Sequence, residues 1–234
     1  MDRVQPSVRM PPAVRPPLAT LVALVAGRVT HTEPHRIFTT LARHRRLFRR
    51  WLPLGGVLLL RGDLPRRDAE LLILRTACNC GCWYEWVQHA TLATSHGLTG
   101  EMVDAIPDWR ESDAYSQRQR HLLAAADELH RDQVITDATW AALAAELRDT
   151  ELIELCFLVG HYEMLAMTLN SLGVEPEPAA MRALSGHSAH QSDQLSAELL
   201  AARQTQNTPP APPGRSHRAE PAIPRSASGS ATSR

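Results

Sequence analysis

The sequence predicts an all-α protein, and three observations carry that prediction. Apolar residues recur at helical spacing between about His35 and Glu177, helix start and stop residues punctuate that span, and the period-two alternation of strands is absent. The 234 residues suit one domain of ordinary size with tails. We divide them into a Pro- and Arg-containing N-terminal tail with a short apolar segment (1–33), a helical domain (34–180) and a Pro/Ser/Ala-rich C-terminal tail (181–234). Prolines crowd both ends, and such segments hold too little apolar surface to offset their ordering entropy, so both tails are expected to be disordered.

Within the domain each helix has its own signals. Ile37, Leu41, Phe48 and Leu52 begin an amphipathic series that Pro53 and the pair Gly55 and Gly56 are expected to interrupt, leaving a short apolar piece, Val57–Leu60, before Gly62. Pro65 opens a largely buried helix with Asp68 and Glu70 near its positive end. A break at Asn79–Gly81 separates it from a helix over Cys82–His96, closed by Gly97. Thr99 caps a short helix stopped by Pro107, and amphipathic helices follow over Ser116–His130 and Asp137–Leu147, with Asp137 as N-cap. The last, Glu151–Leu172, ends at Gly173.

Charge narrows the function. Twenty-five basic residues, all Arg, balance 25 acidic ones, which excludes a globally basic nucleic-acid binder, and the absence of Lys excludes Schiff-base chemistry. The balance is uneven: residues 35–67 carry nine Arg against Asp63 alone, and residues 68–186 carry 19 acids against seven Arg. Arg43, Arg45, Arg46, Arg49 and Arg50 therefore read as a solvated face or one paired with acids of the same or another subunit, and no nucleic acid is expected as partner. The apolar run Leu18–Ala26 follows Arg3, Arg9 and Arg15 like a secretory signal, but its leader is long and broken by prolines. It is also far short of the roughly 20 residues that span a bilayer. A cytoplasmic protein without a membrane partner is expected.

The chemistry concentrates between Glu70 and His89. On a helix Cys82, Glu85 and His89 fall at i, i+3 and i+7, which sets a thiol, a carboxylate and an imidazole along one stripe. Cys82 lies in the first turn, where the helix dipole favours a thiolate, and His89 can relay a proton. Glu70 joins them only if the two helices fold back on each other at Asn79–Gly81. The competing reading makes the cysteines small core residues. Alternating Cys78, Cys80 and Cys82 with one distant His is a poor zinc or iron–sulfur pattern, so neither metal nor cofactor is expected.

The run Leu64-Pro65-Arg66-Arg67-Asp68-Ala69-Glu70 through Arg75, then Cys82-x-Tyr84-Glu85-Trp86-x-x-His89 and the exit Ala93 to Gly97-Leu98, resembles the carboxymuconolactone decarboxylase family, whose superfamily includes the alkylhydroperoxidase D-like (AhpD-like) proteins. The stretches Ala126–His130 and Val159–Pro176 are similar to its C-terminal helices, and the likeness covers about Pro34 to Pro178. The resemblance implies a compact AhpD-like helical domain that forms homo-oligomers, trimers or hexamers, and acts on a small molecule.

In the alkylhydroperoxidase branch a Cys-x-x-Cys is followed, after three intervening residues, by His, with a Glu upstream. Carried over, the first cysteine falls on Cys82, the histidine on His89 and the glutamate on Glu70, while the second cysteine falls on Glu85. The dithiol is not intact, and Cys78 or Cys80 would have to serve as the resolving thiol. Three functions remain open. One is a thiol-dependent, peroxiredoxin-type antioxidant oxidoreductase in which Cys82 attacks peroxide, with a thiol reductant as partner. Another is a decarboxylase or related lyase using His89 and Glu85, with Arg75 anchoring a substrate carboxylate and Tyr84 and Trp86 as pocket wall; Arg75 is read more simply as one half of an ion pair. The third is a non-catalytic oligomeric binding module.

Overall fold

The computed structural model describes residues 8–10 and 35–187, and every described element is helical. The order is α1 (Arg36–Leu41), α2 (Arg45–Leu60), α3 (Arg66–Asn79), α4 (Trp83–Ser95), α5 (Gly100–Asp104), α6 (Gln117–Asp132), α7 (Asp137–Ala144), α8 (Asp149–Leu172) and α9 (Pro178–His187). Helix α3 is the centre of the domain. Leu71, Leu72, Ile73 and Leu74 are fully buried in succession, so α3 meets protein on every side, packed by α4, α6 and α8. Leu122, Leu123, Leu155, Leu158 and Ile106 complete that core.

Start and stop residues act largely as their chemistry requires. Thr99 accepts the Met102 N–H at the head of α5, and Ser116 and Gln119 form a reciprocal capping box at the head of α6. Gly173 ends α8 in the left-handed region at φ 66°, where a Cβ would be strained. The cap of α7 is Thr136, one residue ahead of the expected Asp137, because its hydroxyl reaches the Thr139 N–H.

One expectation fails. Helix α2 runs through Pro53, Gly55 and Gly56 without interruption. A proline within a helix removes one backbone bond and crowds the preceding turn. Tertiary contacts hold both sides here: Phe48 is buried before the proline, Leu58 after it, and Trp51 stacks on His161 of α8 with rings 6.2 Å apart and nearly parallel.

Helix α9 spans the boundary expected at 180. Its approach is fixed by Glu177, whose buried carboxylate accepts hydrogen bonds from the Arg36 N–H, the Tyr84 hydroxyl and the Gln88 amide. Arg9 and Met10 donate their N–H groups to the Leu172 carbonyl. Most of the two expected tails, including Leu18–Ala26, lies outside the described residues. Among the described residues α8 alone is long and apolar enough to cross a membrane, and more than half of its most apolar window is buried inside the protein.

Candidate functional site: a histidine between two carboxylates

The turn between α3 and α4 builds the site. Helix α3 ends at Asn79, Cys80 caps it, and Gly81 adopts φ 56°, a left-handed conformation that reverses the chain. The Cys82 N–H then bonds back to the Ala77 carbonyl at 2.8 Å, and α4 lies along α3. This fold-back is the one Glu70 needs. Its Oε2 lies 2.7 Å from His89 Nδ1, although the residues are 19 apart in sequence.

His89 Nε2 faces a second carboxylate, with Glu85 Oε2 at 3.5 Å one turn back on α4. The other Glu70 oxygen accepts from Arg66 Nη2 at 2.6 Å, the preceding turn of α3. The Tyr162 ring stands edge-on to the His89 imidazole at 5.1 Å and 86°. All of these groups except the Arg66 guanidinium are buried.

The electrostatics follow from that enclosure. Burial alone would pull the His89 imidazole down, but the charge and hydrogen bond of Glu70, then those of Glu85, push it up to about 9. Burial likewise favours a neutral Glu70, yet His89 and then Arg66 outweigh it and hold the carboxyl below its usual range. The buried phenol of Tyr162 is pushed well up, first by burial and then by Glu85 and Glu70, and stays neutral. His35, buried and within reach of the His89 charge, is driven down to about 4. A single imidazolium thus sits between two carboxylates. Glu85 Oε1 is buried and has no hydrogen-bond partner among the described residues, an uncommon state for a carboxylate oxygen.

The remaining sequence candidates fall elsewhere. Cys82 is the N-cap of α4 and fully buried, in an apolar cluster with Ile37, Tyr84, Leu165, Ala166 and Leu169. The four cysteines form no disulfide, and Cys78 is half-buried against the main core. Cys80 Sγ lies 3.9 Å from His130 Nδ1.

Arg75, read as a substrate anchor or more simply as one half of an ion pair, makes an ion pair within the fold. Its Nε pairs with Asp127 at 2.5 Å and its Nη1 donates to the Ile106 and Pro107 carbonyls. Asp127 also accepts from Asn79, Trp109 and Arg110, which makes it the hub joining α3 to the α5–α6 loop. Tyr84 gives its hydroxyl to Glu177, and Trp86 is buried in the main core. Both therefore have structural employment that the idea of a pocket wall did not include. Sequence reading missed Arg66, whose i,i+4 spacing to Glu70 was an available signal, and His35, for which there was none. Among the described residues no acid pairs with Arg45, Arg46, Arg49 or Arg50, which line an open surface depression.

Residues 45–128 match the carboxymuconolactone decarboxylase family. The fold is similar to the alkylhydroperoxidase AhpD core of an uncharacterized peroxidase-related protein from Ralstonia eutropha JMP134: TM-score 0.66, 19% identity, 74% of this chain and 93% of that one covered. It is also similar to an uncharacterized peroxidase-related protein from Silicibacter sp. TM1040 (TM-score 0.65, 14% identity, 76% and 96% covered). A third neighbour is the debrominase Bmp8 (TM-score 0.66, 16% identity, 78% and 98% covered), solved also as a cysteine-to-alanine variant with 2,3,4-tribromopyrrole. At these identities the likeness establishes the AhpD-like fold. No curated protein matches the chain.

Proposed function

We propose, from the match of residues 45–128 to the carboxymuconolactone decarboxylase family, that the protein is an acid–base enzyme acting on a small carboxylated molecule, with His89 as the proton donor. The observation that carries this reading is the pairing of both imidazole nitrogens with carboxylates, tightly at Glu70 and loosely at Glu85. The 2.7 Å contact fixes the ring and holds the Nδ1 proton. The 3.5 Å contact leaves the Nε2 proton free to leave.

In decarboxylation the bond from carbon to carboxylate breaks and carbon dioxide departs. Its electron pair passes into the conjugated carbonyl system, and His89 Nε2 delivers a proton to the resulting enolate carbon. Glu70 remains ionised throughout and stabilises the imidazolium before transfer. Glu85, with one oxygen unpartnered, accepts a hydrogen bond from a substrate hydroxyl or from the water that restores the proton. Arg75, Tyr84 and Trp86 belong to the scaffold in this scheme.

The thiol-dependent peroxidase is the second reading, favoured by Cys82 standing at the N-cap of the helix that carries Glu85 and His89. Its complete burial and the Glu85 substitution weigh against it. Oligomer formation in the cytoplasm completes the proposal. Its support is a seam on α8, where Ile153, Phe157, Met164 and Met167 are all exposed at heptad-like spacing.

Carbon dioxide release from carboxylated lactones and consumption of organic hydroperoxides, measured in parallel on the wild type and two variants, separate the readings. Loss of carbon dioxide release in His89→Asn, with retention in Cys82→Ser, is the expected result. Hydroperoxide consumption that disappears in Cys82→Ser would establish the thiol chemistry instead.

A further inference from the structure

A second cluster of chemistry-bearing side chains lies on the far side of the same turn, and the acid–base scheme does not use it. Cys80 comes from the α3–α4 turn, His130 from the last turn of α6 and Glu163 from the middle of α8. Cys80 Sγ is 3.9 Å from His130 Nδ1, His130 Nδ1 is 2.8 Å from Glu163 Oε1, and all three atoms lie within 4.8 Å of one another.

The way they converge decides what they can do. In a thiol–imidazole–carboxylate relay the thiol and the carboxylate use opposite ring nitrogens, so that a proton can cross the ring. Here both face the same nitrogen. Nδ1 can donate to Glu163 or accept from Cys80, and it cannot do both. Three ligand atoms aimed at one point are instead what a cation requires. Tetrahedral zinc, with bonds of roughly 2.0–2.3 Å, holds its ligand atoms about 3.4–3.6 Å apart. The His130–Glu163 contact would open and the Cys80–His130 contact close by under about an ångström each, while Cys80 and Glu163, at most 4.8 Å apart, would close by no more than about 1.3 Å, within the reach of side-chain rotation.

We propose that Cys80, His130 and Glu163 form a binding site for a divalent transition metal of the zinc class, with water completing the coordination. Thiolate, imidazole and carboxylate together suit a borderline ion and disfavour magnesium or calcium, which take oxygen ligands. Two anionic ligands and a neutral imidazole cancel the dication, so the filled site adds no net charge to a half-buried position. Cys80 and His130 are partly exposed, which gives the ion a route in.

Without a cation the thiol is a poor nucleophile, because burial, then Glu163, pushes it up to about 12. The anchoring is firm: the Cys80 N–H bonds to the Thr76 carbonyl, and its own carbonyl accepts from Asn170 of α8. A bound ion would clamp α3, α6 and α8 at the turn that sets the start of α4, and with it the position of Glu85 and His89. The spacing Cys78, Cys80, Cys82 concealed this set, since two of its three members are 50 and 83 positions away from the cysteine.

Metal binding to the full chain tests this apart from activity. Chelator-treated protein titrated with Co²⁺ is expected to bind one ion per chain and to develop a thiolate-to-cobalt charge-transfer band. Zn²⁺ should abolish that band and raise the melting temperature. Cys80→Ser should eliminate the band, and His130→Asn and Glu163→Gln should each weaken binding by at least about tenfold. Cys78→Ser, Cys82→Ser and Cys156→Ser should leave the band in place. His130→Asn, at a partly exposed position, keeps the test valid if the cysteine variant does not fold. No thiolate band in the wild type, or a band that survives Cys80→Ser, would overturn the proposal. So would zinc affinity equal in wild type and all three ligand variants.

Discussion

Among the described residues two histidines lie within hydrogen-bond distance of a carboxylate, and they are built for different work. His89 is buried and spreads its two nitrogens over two carboxylates, Glu70 and Glu85. His130 is partly exposed and turns a single nitrogen to both Glu163 and Cys80. Divergent partners orient an imidazole and raise its proton affinity, the arrangement that proton transfer needs. Convergent partners leave a gap between them, the arrangement that an ion needs. Residue types barely distinguish the two clusters, while the direction in which each ring nitrogen points separates them.

The largest expected effect breaks the comparison at its first member. His89→Asn should lower the rate of the proton-transfer reaction by about 10²–10⁴-fold, whereas His130→Asn in metal-free protein should leave it within about tenfold. Steady-state assays of the two variants side by side measure this. Glu70→Leu comes next. It strips the partner from a buried imidazolium and from Arg66, and should cost about 3–5 kcal/mol in denaturant unfolding.

The same pair predicts a pH dependence. His89 binds its proton more tightly in the folded protein, at about 9, than at its ordinary 6.5, so the stabilisation is complete below 6.5 and is lost as pH rises through 9. Unfolding midpoints measured from pH 6 to 10 should fall in the wild type and flatten in Glu70→Gln. Away from both clusters, Phe157→Glu on the exposed α8 seam should shift the elution volume of an oligomer toward that of the monomer. The smallest effect belongs to Arg110→Ala, which removes a largely exposed partner of Asp127 and should cost no more than about 1 kcal/mol.

Much of this was legible in the sequence. Local signals produced the helices from α3 onward, because capping residues and apolar spacing act over a few positions. The Glu70–His89 contact was legible as a requirement, since Gly81 supplies the left-handed turn it depends on. Continuity of α2 was not, because the packing that carries it past Pro53 comes from α8 more than a hundred residues later. The ion pair read for Arg75 had no legible partner for the same reason: Asp127, which holds it, lies 52 positions on. Cys80, His130 and Glu163 share no motif and meet only in the folded chain.

The central claim is that His89 is held as an imidazolium by Glu70. A ¹⁵N NMR titration of the His89 side chain tests it without any substrate. The wild type should titrate near 9, with the value dropping toward 6.5 in Glu70→Gln. A wild-type value at or below 6.5, or one unmoved by Glu70→Gln, would contradict it.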